Sequence, residues 1–281
     1  MNFNSQQVID FLKAAKKPMN MPIVSKWLTF LSFASLAVGY SIAAFANMEY
    51  IIFYIPVILF FVVLGTYFFF TQGTVALFNR LYRNKAGLLN GTTLVSRTNI
   101  LFRLKDYARM LFLTSIISAV VLTAAGTVHM VFEFLLDMVA NPEEQLFPLP
   151  EFDFQMLRQV FSLTLFIGLF ISLLFFIVQG SILYLKLFTE LTDTKRQLFA
   201  LRRIGVTRKE AARILNKQIQ FLFFIPFIVG SIHASFAFLM LSRTLEINLV
   251  TNALIVIGSY CILQTGYYLL TRFFYLRAAF R

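Results

Sequence analysis

Apolar residues occupy this chain in long, nearly uninterrupted blocks, separated by short segments that hold most of the charge. A helix of about 20 apolar residues is what the ~30 Å hydrocarbon core of a bilayer requires. The pattern therefore predicts six membrane-spanning helices, at 27–47, 50–71, 110–130, 161–185, 219–241 and 249–271. The polar, amphipathic segment before the first block lacks the organisation of a secretory signal, and we expect a short cytoplasmic helix there.

Basic residues collect on one side of this predicted arrangement. Twenty-three of the 25 Lys and Arg residues lie in 1–26, 72–109, 186–217 and the C-terminal tail. Eight of the 13 acidic residues lie in the other three connections, 48–49, 131–160 and 242–248. The positive-inside rule then places both termini and the basic loops in the cytoplasm. Since this topology accounts for the net charge of +12, the basic character does not indicate a nucleic-acid partner.

The amino-acid composition also indicates a membrane protein. Hydrophobic residues make up 59% of the chain and charged residues 14%, with a mean hydropathy of +0.76, which excludes an ordinary soluble domain. We expect an all-α integral membrane protein. The single cysteine, Cys261, cannot form an intramolecular disulfide, and the two histidines, His129 and His233, leave little material for a metal site. Both histidines fall near the outer ends of their predicted helices, where they could meet.

Two absences exclude enzyme classes. The chain has no G-x-x-x-x-G-K-[ST] phosphate-binding loop, so ATP hydrolysis cannot be assigned to it. The predicted spans contain no Ser/His, Asp/Asp or His-x-x-x-His arrangement of an intramembrane enzyme. We therefore assign no catalytic residue, no cofactor and no metal to this chain.

The most charged stretch, LFALRRIGVTRKEAARIL at 198–215, predicts a helix, a turn and a second helix in the cytoplasm. Leu198, Leu201 and Ile204 recur at helical spacing, and Gly205 suits the left-handed position that ends a helix. Thr207 and Glu210 form the Thr-x-x-Glu signature of a capping box. The segment 186–217 is either a solvated loop between spans or a docking element that another protein grips and moves.

A resemblance to a known family favours the interpretation of 186–217 as a docking element. The sequence ELTDTKRQLFALRRIGVTRKEAARILNKQ resembles the coupling region of FtsX-like ABC transporter permeases. With GSILYLKLFTEL before it, KQIQFLFFIPFIVGSIHASFAF after it and the stretch beginning GTYFFFTQGTVALF upstream, the chain is similar to the C-terminal half of bacitracin-type (Bce-type) permeases. These permeases protect Gram-positive bacteria against antimicrobial peptides that target the cell wall.

The resemblance implies a layout along the chain. It gives a cytoplasmic N-terminal segment at 1–26, a transmembrane hairpin at 27–72, a cytoplasmic loop with an interfacial amphipathic helix at 73–109, and an FtsX-like module at 110–281. Within the module, 131–160 would be extracellular, a stalk would extend from 161–185 as one stiff helix, and 186–217 would be the coupling elbow. Large apolar residues and cations alternate between faces over 94–109, which independently supports the interfacial helix.

The resemblance also implies the partner at the elbow, a dimer of a separate ATP-binding subunit that binds ATP and magnesium. Apolar residues, namely Leu198, Phe199, Leu201 and Ile204, would supply the buried contact, and cations beside them would meet acidic or polar groups. The residues assigned to this contact are Arg196, Leu198, Phe199, Leu201, Arg202, Arg203, Ile204, Gly205, Thr207, Arg208 and Glu210.

The function implied is that of a transport permease in the plasma membrane of a Gram-positive bacterium. ATP hydrolysis by the partner would drive the removal of cell-wall-targeting peptides such as bacitracin, and a membrane histidine kinase would be a further partner. The alternative is an FtsX-like scaffold that transports nothing and transmits ATPase motion to a histidine kinase or a cell-wall hydrolase. Both interpretations use the same elbow.

The chain departs from the family pattern in size. Members of the family have ten spans, two FtsX-like modules and a large extracellular domain between the seventh and eighth spans, whereas 131–160 is too short for such a domain. The chain is then either a natural half-permease or a portion of a longer one, and the rest of the permease or a second copy is an expected partner. We favour the portion, because residues 1–26 resemble an interior linker.

Polar residues inside the predicted spans are interpreted as packing positions. Gln179 with Gly180 and Ser181, and Gln264 with Thr265 and Gly266, suit close helix approach with amides that bond between helices. Pro226 should kink the fifth span. No acidic or basic side chain other than the histidines falls within the predicted spans, so a charged transmembrane pathway is not expected.

Overall fold

Long helices account for nearly all of the chain that the computed structural model describes. It describes residues 25–46, 50–81, 91–140, 154–203, 205–245 and 249–281, with side chains omitted at 78, 79, 81, 91–105, 135–140, 154–158, 160, 161, 244, 245 and 249. These ranges contain no strand. The α-helices are α1 (Lys26–Phe45), α2 (Ile51–Phe68), α3 (Thr74–Leu81), α4 (Gly91–Ala140), α5 (Phe154–Thr189), α6 (Leu191–Arg203), α7 (Arg208–Leu245) and α8 (Leu249–Ala279).

Six helical stretches are long and apolar enough to cross a membrane: Lys26–Phe45, Ile51–Leu77, Asp106–Phe134, Ser162–Thr189, Arg208–Arg243 and Val250–Ala279. Each contains most or all of one predicted span, which confirms the six-span, all-α prediction. The second span joins α3 through one π-helical turn at Phe69–Gly73. Several stretches are longer than a bilayer core needs, because the helices continue past the membrane as ordered cytoplasmic or outer extensions.

The connections between spans are more helical than predicted. The proposed outer loop 131–160 is helix up to Ala140 and again from Phe154, so only 141–153 lies outside the described residues. The interfacial segment 94–109 and the third span form one helix, α4, and most side chains of that segment lie outside the described part. The predicted N-terminal helix also lies outside it, except for Ser25 and Lys26.

The transmembrane hairpin is held together by small residues. A Cβ added at Gly65 would lie 2.8 Å from the Leu36 side chain, and one at Gly39 would lie 3.0 Å from Val62. Such positions allow two helices to approach closely in a lipid environment that gives apolar side chains no other reason to associate. Ser35 adds a hydrogen bond across the contact, with its Oγ 2.7 Å from the carbonyl oxygen of Phe61.

The most extensive helix pair is α4 with α7. Two glycines set its spacing. A Cβ at Gly126 would overlap the ring of Phe238, and a Cβ at Gly230 would lie 2.6 Å from the Cβ of Ser118 and 3.0 Å from the backbone nitrogen of Ala119. The second contact involves backbone, which cannot rotate away as a side chain can. The close packing of α4 against α7 therefore requires a residue without a side chain at position 230.

The buried side chains form two apolar clusters at different depths. The outer cluster joins α4, α7 and α8 through Leu122, Phe227, Ala234, Phe238 and Tyr260. The inner cluster is larger and extends beyond the spans, since it includes Leu111 and Phe223 together with Leu198 of α6 and Ala211 of the first turn of α7. The hydrophobic core of this protein therefore continues from the membrane into the cytoplasmic elbow.

We predict that Gly230→Ala destabilises the protein, because the new methyl group must push α4 and α7 apart. Overpacking of this kind costs about 1–3 kcal/mol, which should lower the unfolding midpoint in detergent by several degrees. Gly258→Ala is the matched control, since a Cβ there meets nothing within 4 Å; it should leave the midpoint unchanged or raise it slightly, because alanine favours helix over glycine. Equal midpoints for the two variants would contradict the prediction.

Candidate functional site

The elbow consists of the end of α5, the helix α6 and the start of α7. Helix α5 ends at Thr189, Glu190 forms a turn, and α6 begins at Leu191. The backbone N–H of Thr194 donates to the carbonyl of Glu190 at 3.0 Å, so the turn leads directly into the first hydrogen bond of α6. The stalk helix α5 and the coupling helix α6 are thus separate helices, divided by the turn at Glu190.

A Schellman motif ends α6. Gly205 has φ = +89°, the left-handed conformation predicted for it. Its N–H donates to the carbonyl of Arg202 at 3.1 Å, and the N–H of Val206 donates to the carbonyl of Leu201 at 3.1 Å. These two bonds satisfy carbonyl groups that the helix end would otherwise leave without donors. The predicted turn is therefore confirmed in its chemical detail.

A capping box starts α7, also as predicted. The Glu210 carboxylate accepts hydrogen bonds from the Thr207 backbone N–H at 2.9 Å and from the Thr207 hydroxyl at 2.8 Å. The same hydroxyl accepts from the Glu210 N–H at 3.3 Å. Glu210 lies in the first turn of α7, on the cytoplasmic side of the bilayer-embedded part. The bonds from Thr207 lower the pKa of Glu210, so its carboxylate stays ionised at neutral pH.

The inner face of α6 is bound to the rest of the protein. Leu198 is only 6% exposed and belongs to the inner apolar cluster. One turn earlier, Thr194 is buried and its Oγ1 accepts a hydrogen bond at 3.0 Å from the hydroxyl of Tyr275 on α8. Positions 194 and 198 lie on one face because residues four apart are neighbours on a helix. This face fixes α6 against the last span.

A polar cluster fixes the end of the stalk to α4. The Tyr107 hydroxyl donates to the Glu190 carboxylate. That carboxylate also pairs with Lys186 at 2.7 Å, and the Lys186 ammonium lies 5.2 Å from the centre of the Tyr107 ring. Three side chains from two helices therefore meet at the point where α5 ends. These contacts fix the turn at Glu190 to α4 through Tyr107 and to α5 through Lys186.

The outer face of α6 is basic with one large aromatic residue. Arg196 is exposed and pairs with Asp193 at 3.6 Å, a surface contact of little energetic weight. Phe199 is 60% exposed, and the Arg203 guanidinium lies 4.5 Å from the centre of its ring. Lys195 and Arg202 flank the same face. Aromatic and arginine side chains are enriched at protein–protein interfaces, so this face is suited to contact with another protein.

The structure divides the predicted site residues by exposure. The exposed ones are Arg196, Phe199, Arg202, Arg203, Gly205, Thr207 and Arg208. Leu201 and Glu210 are half-buried, and Ile204 lies outside the described residues. The placement of Leu198 is a correction: its side chain packs inward and cannot supply a contact to a partner in this conformation. Helical spacing showed that Leu198 and Leu201 belong to an apolar stripe, but it did not show which way that stripe faces.

Sequence reasoning missed Lys195 on the outer face and the Thr194–Tyr275 bond on the inner face. Lys195 could have been found as one more basic residue next to Arg196 in the segment 186–217. Tyr275 could have been found from its seven-residue spacing to Tyr268, which bonds Asn216 of α7 at 2.7 Å. Both tyrosines reach from α8 to the elbow side of the molecule. Among the described residues, no cluster of His, Cys, Asp or Glu could hold a metal ion.

The two histidines do not pair. His233 is buried, with Nδ1 2.6 Å from the Tyr40 hydroxyl and Nε2 2.9 Å from Thr66 Oγ1. Both ring nitrogens are therefore taken up by the hairpin, not by His129. The Thr66 hydroxyl donates to the carbonyl of Val62 at 2.6 Å, so it accepts from Nε2–H, and Nδ1 accepts from Tyr40. His233 is therefore a helix-bonded histidine, which the sequence favoured over a shared site with His129, and it links the hairpin to α7.

The two predicted amide positions do join helices. Gln179 accepts from the Tyr260 hydroxyl at 2.6 Å, and Gln264 donates to the carbonyl of Phe223 at 3.0 Å. Gly180 is a close-approach position, since a Cβ there would lie 2.7 Å from the ring of Tyr267. Gly266 is not, because a Cβ there meets nothing within 4 Å. The interpretation as packing positions is thus confirmed for Gln179, Gly180 and Gln264. The hydroxyls of Ser181 and Thr265 instead donate to the carbonyls of Ile177 and Cys261 within their own helices.

Six membrane-crossing stretches, with a helical elbow between the fourth and fifth, define a multi-pass membrane protein. No protein-family model matches the chain. It is 32% identical to the ABC transporter permease YvcS of Bacillus subtilis over 461 aligned positions, which cover 97% of this chain and 71% of YvcS. This chain therefore belongs to the ABC transporter permeases.

Shorter matches relate the chain to Bce-type permeases. It is 35% identical to the permease protein YxdM of Bacillus subtilis over 42% of this chain and 19% of YxdM. It is 34% identical to the bacitracin export permease protein BceB of the same organism over 28% of this chain and 12% of BceB. The alignment with YvcS has 461 positions and this chain has 281 residues, so at least 180 aligned positions have no counterpart here.

We predict that Gly205→Ala loosens the end of α6, because a side chain at φ = +89° is strained by about 1–2 kcal/mol. Amide exchange at Gly205 and Val206, measured by hydrogen–deuterium exchange, should become about tenfold faster. Gly205→Asn is the control, since asparagine tolerates the left-handed region better and should show a smaller increase. No difference between wild type and Gly205→Ala would refute the role assigned to this glycine.

Proposed function

We propose that this chain is the permease, or half of the permease, of an ABC transporter that removes cell-wall-targeting antimicrobial peptides such as bacitracin and so confers resistance. ATP is hydrolysed by a separate ATP-binding subunit dimer, which contacts the elbow. Membership of the ABC permeases and the similarity to a bacitracin export permease support this proposal. The observation that carries it is the outward face of α6, an exposed phenylalanine among cations.

The two faces of α6 suit the transfer of force. Phe199 and Arg202 on the outer face are available to the ATPase, and aromatic and arginine side chains dominate the binding energy of such contacts. Leu198 and Thr194 on the inner face are bound to the core and to Tyr275. A push on the outer face would therefore not be absorbed by a loose loop. It would displace the helices on which α6 rests.

The route across the membrane consists of helices that begin at the elbow. Helix α7 starts at Arg208 and continues to Leu245 on the other side, and α5 runs from Phe154 to Thr189. Each helix is long enough to cross the bilayer with residues to spare. A shift at the elbow end must tilt or slide the whole helix. Movement of this kind can release a peptide from a lipid-linked target without an aqueous pore, which agrees with spans that lack acidic and basic side chains.

We predict that Phe199→Asp prevents co-purification of the permease with the ATP-binding subunit. The aspartate replaces an apolar contact and adds a negative charge between arginines. Phe199→Leu keeps an apolar side chain and should retain most of the partner. Leu198→Asp provides the contrast, because it places a charge in the inner cluster and should lower the unfolding midpoint of the permease itself. Normal recovery of the ATPase with Phe199→Asp would contradict the elbow contact.

We predict that deletion of the gene makes cells several-fold more sensitive to a cell-wall-targeting peptide, measured as the minimal inhibitory concentration of bacitracin. Wild type and Phe199→Leu should restore resistance, and Phe199→Asp should not. Unchanged peptide sensitivity of the deletion strain, together with altered cell-wall hydrolysis or kinase signalling, would contradict the transport function. That result would favour an FtsX-like scaffold that transmits ATPase motion without transport, and the co-purification result would remain valid.

A further inference from the structure

An open groove of about 710 Å³ lies where the start of α7 faces the end of α8. Three arginines line it: Arg208 of α7, and Arg272 and Arg277 of α8. Its other walls are apolar, and no acidic side chain is among the described residues that line it. The groove adjoins the outer face of α6, because Phe280 also lines a smaller cavity beside Phe199 and Arg202, but no residue of α6 lines the groove itself.

The predicted end of the last span places the α8 wall of the groove at the depth of the inner lipid headgroups. The last predicted span ends at residue 271, so Arg272 stands at the boundary of the hydrocarbon. Arg277 follows five residues later, roughly 8 Å further along a helix that rises 1.5 Å per residue. Headgroup layers add about 5–8 Å to each side of the hydrocarbon core. The two arginines therefore bracket the layer in which phospholipid phosphates are found.

The cationic part of the groove is suited to a phosphate. A guanidinium group presents a planar set of N–H donors that matches phosphate oxygens. Arg208 is held in place from the side, with its guanidinium 5.2 Å from the centre of the Phe280 ring. Three cations without an acidic neighbour in the same groove repel one another. An anion bound between them would remove that repulsion.

The apolar part of the groove is suited to an acyl chain. Leu269 and Phe273 are 50% and 60% exposed, and they lie one turn apart on the lipid-facing side of α8. Leu269 continues the groove from the arginines toward the hydrocarbon, and Phe273 lies between the levels of Arg272 and Arg277. A soluble anion would use the arginines and leave these side chains uncovered. A phospholipid would cover both parts at once.

We propose that this groove binds one anionic phospholipid of the inner leaflet. Its phosphate contacts the guanidinium groups of Arg208, Arg272 and Arg277, and its acyl chains lie along Leu269 and Phe273. Anionic lipids are abundant in the cytoplasmic leaflet, and each basic residue near such a surface strengthens binding. Since Arg208 begins α7 and Arg277 lies in the last turn of α8, the bound lipid connects the elbow with the last span. Binding of the lipid does not require the proposed transport function.

Native mass spectrometry of the purified full chain tests the proposal. The chain is released from detergent micelles loaded with either phosphatidylglycerol or phosphatidylcholine. Wild type should retain one phosphatidylglycerol in preference to phosphatidylcholine, and Arg272→Gln/Arg277→Gln should bind it at least about tenfold more weakly. Arg272→Lys/Arg277→Lys keeps the charge without the planar donors and should fall between the two.

The matched control is Arg196→Gln/Arg213→Gln, which removes two exposed cytoplasmic arginines outside the groove and should retain the lipid as wild type does. The proposal is overturned if wild type shows no preference for phosphatidylglycerol, or if both glutamine pairs lose the lipid equally, which would indicate a diffuse charge effect. Displacement of the lipid by excess inorganic phosphate would overturn it too, since the groove would then recognise a free anion. If Arg272→Gln/Arg277→Gln does not fold, the single variant Arg277→Gln is measured instead. Partial loss of bound phosphatidylglycerol in this variant supports the site, and full retention of the lipid refutes it.

Discussion

The attachment of α6 to the last span is the constraint on which the rest of this structure depends. A short cytoplasmic helix between two membrane spans could have been mobile, but Leu198 is buried in the inner apolar cluster and Thr194 is bonded to Tyr275. Burial of a leucine side chain contributes about 1.5–3 kcal/mol, which is enough to hold one helical face. The opposite face then has a fixed orientation. Phe199 and its neighbouring arginines are exposed because Leu198 is not.

The backbone around Pro226 is under a similar constraint, since each unpaired backbone group in hydrocarbon is costly. Pro226 has no N–H, so the carbonyl of Leu222 lacks its usual donor and the ladder is weakened there. Gln264 of α8 donates to the adjacent carbonyl, that of Phe223, at 3.0 Å. The amide therefore binds α8 to α7 at the turn where proline has disturbed the backbone. A sequence shows Pro226 and Gln264 separately, and only the packing shows that they act at one place.

Much of this architecture could be predicted, because it follows from local physics. Spans follow from uninterrupted apolar length, and the Gly205 turn and the Thr207–Glu210 cap follow from backbone conformation and short-range hydrogen bonds. The rest depends on which helices become neighbours. Periodicity could not show that Leu198 faces inward, since the stripe it belongs to suits either a core or a partner. Nor could it show that His233 meets Tyr40, because the two residues are separated by 193 positions.

The link at His233 connects the hairpin to the elbow through a single helix. Helix α7 begins at Arg208 in the elbow and carries His233 near its other end, where Tyr40 and Thr66 of the hairpin occupy both ring nitrogens. Tyr40 also stacks on Phe236, one turn further along α7, with ring centres 4.1 Å apart. Helix α7 therefore connects the hairpin with the elbow, because these contacts attach Tyr40 and Thr66 of the hairpin to the helix that begins at Arg208.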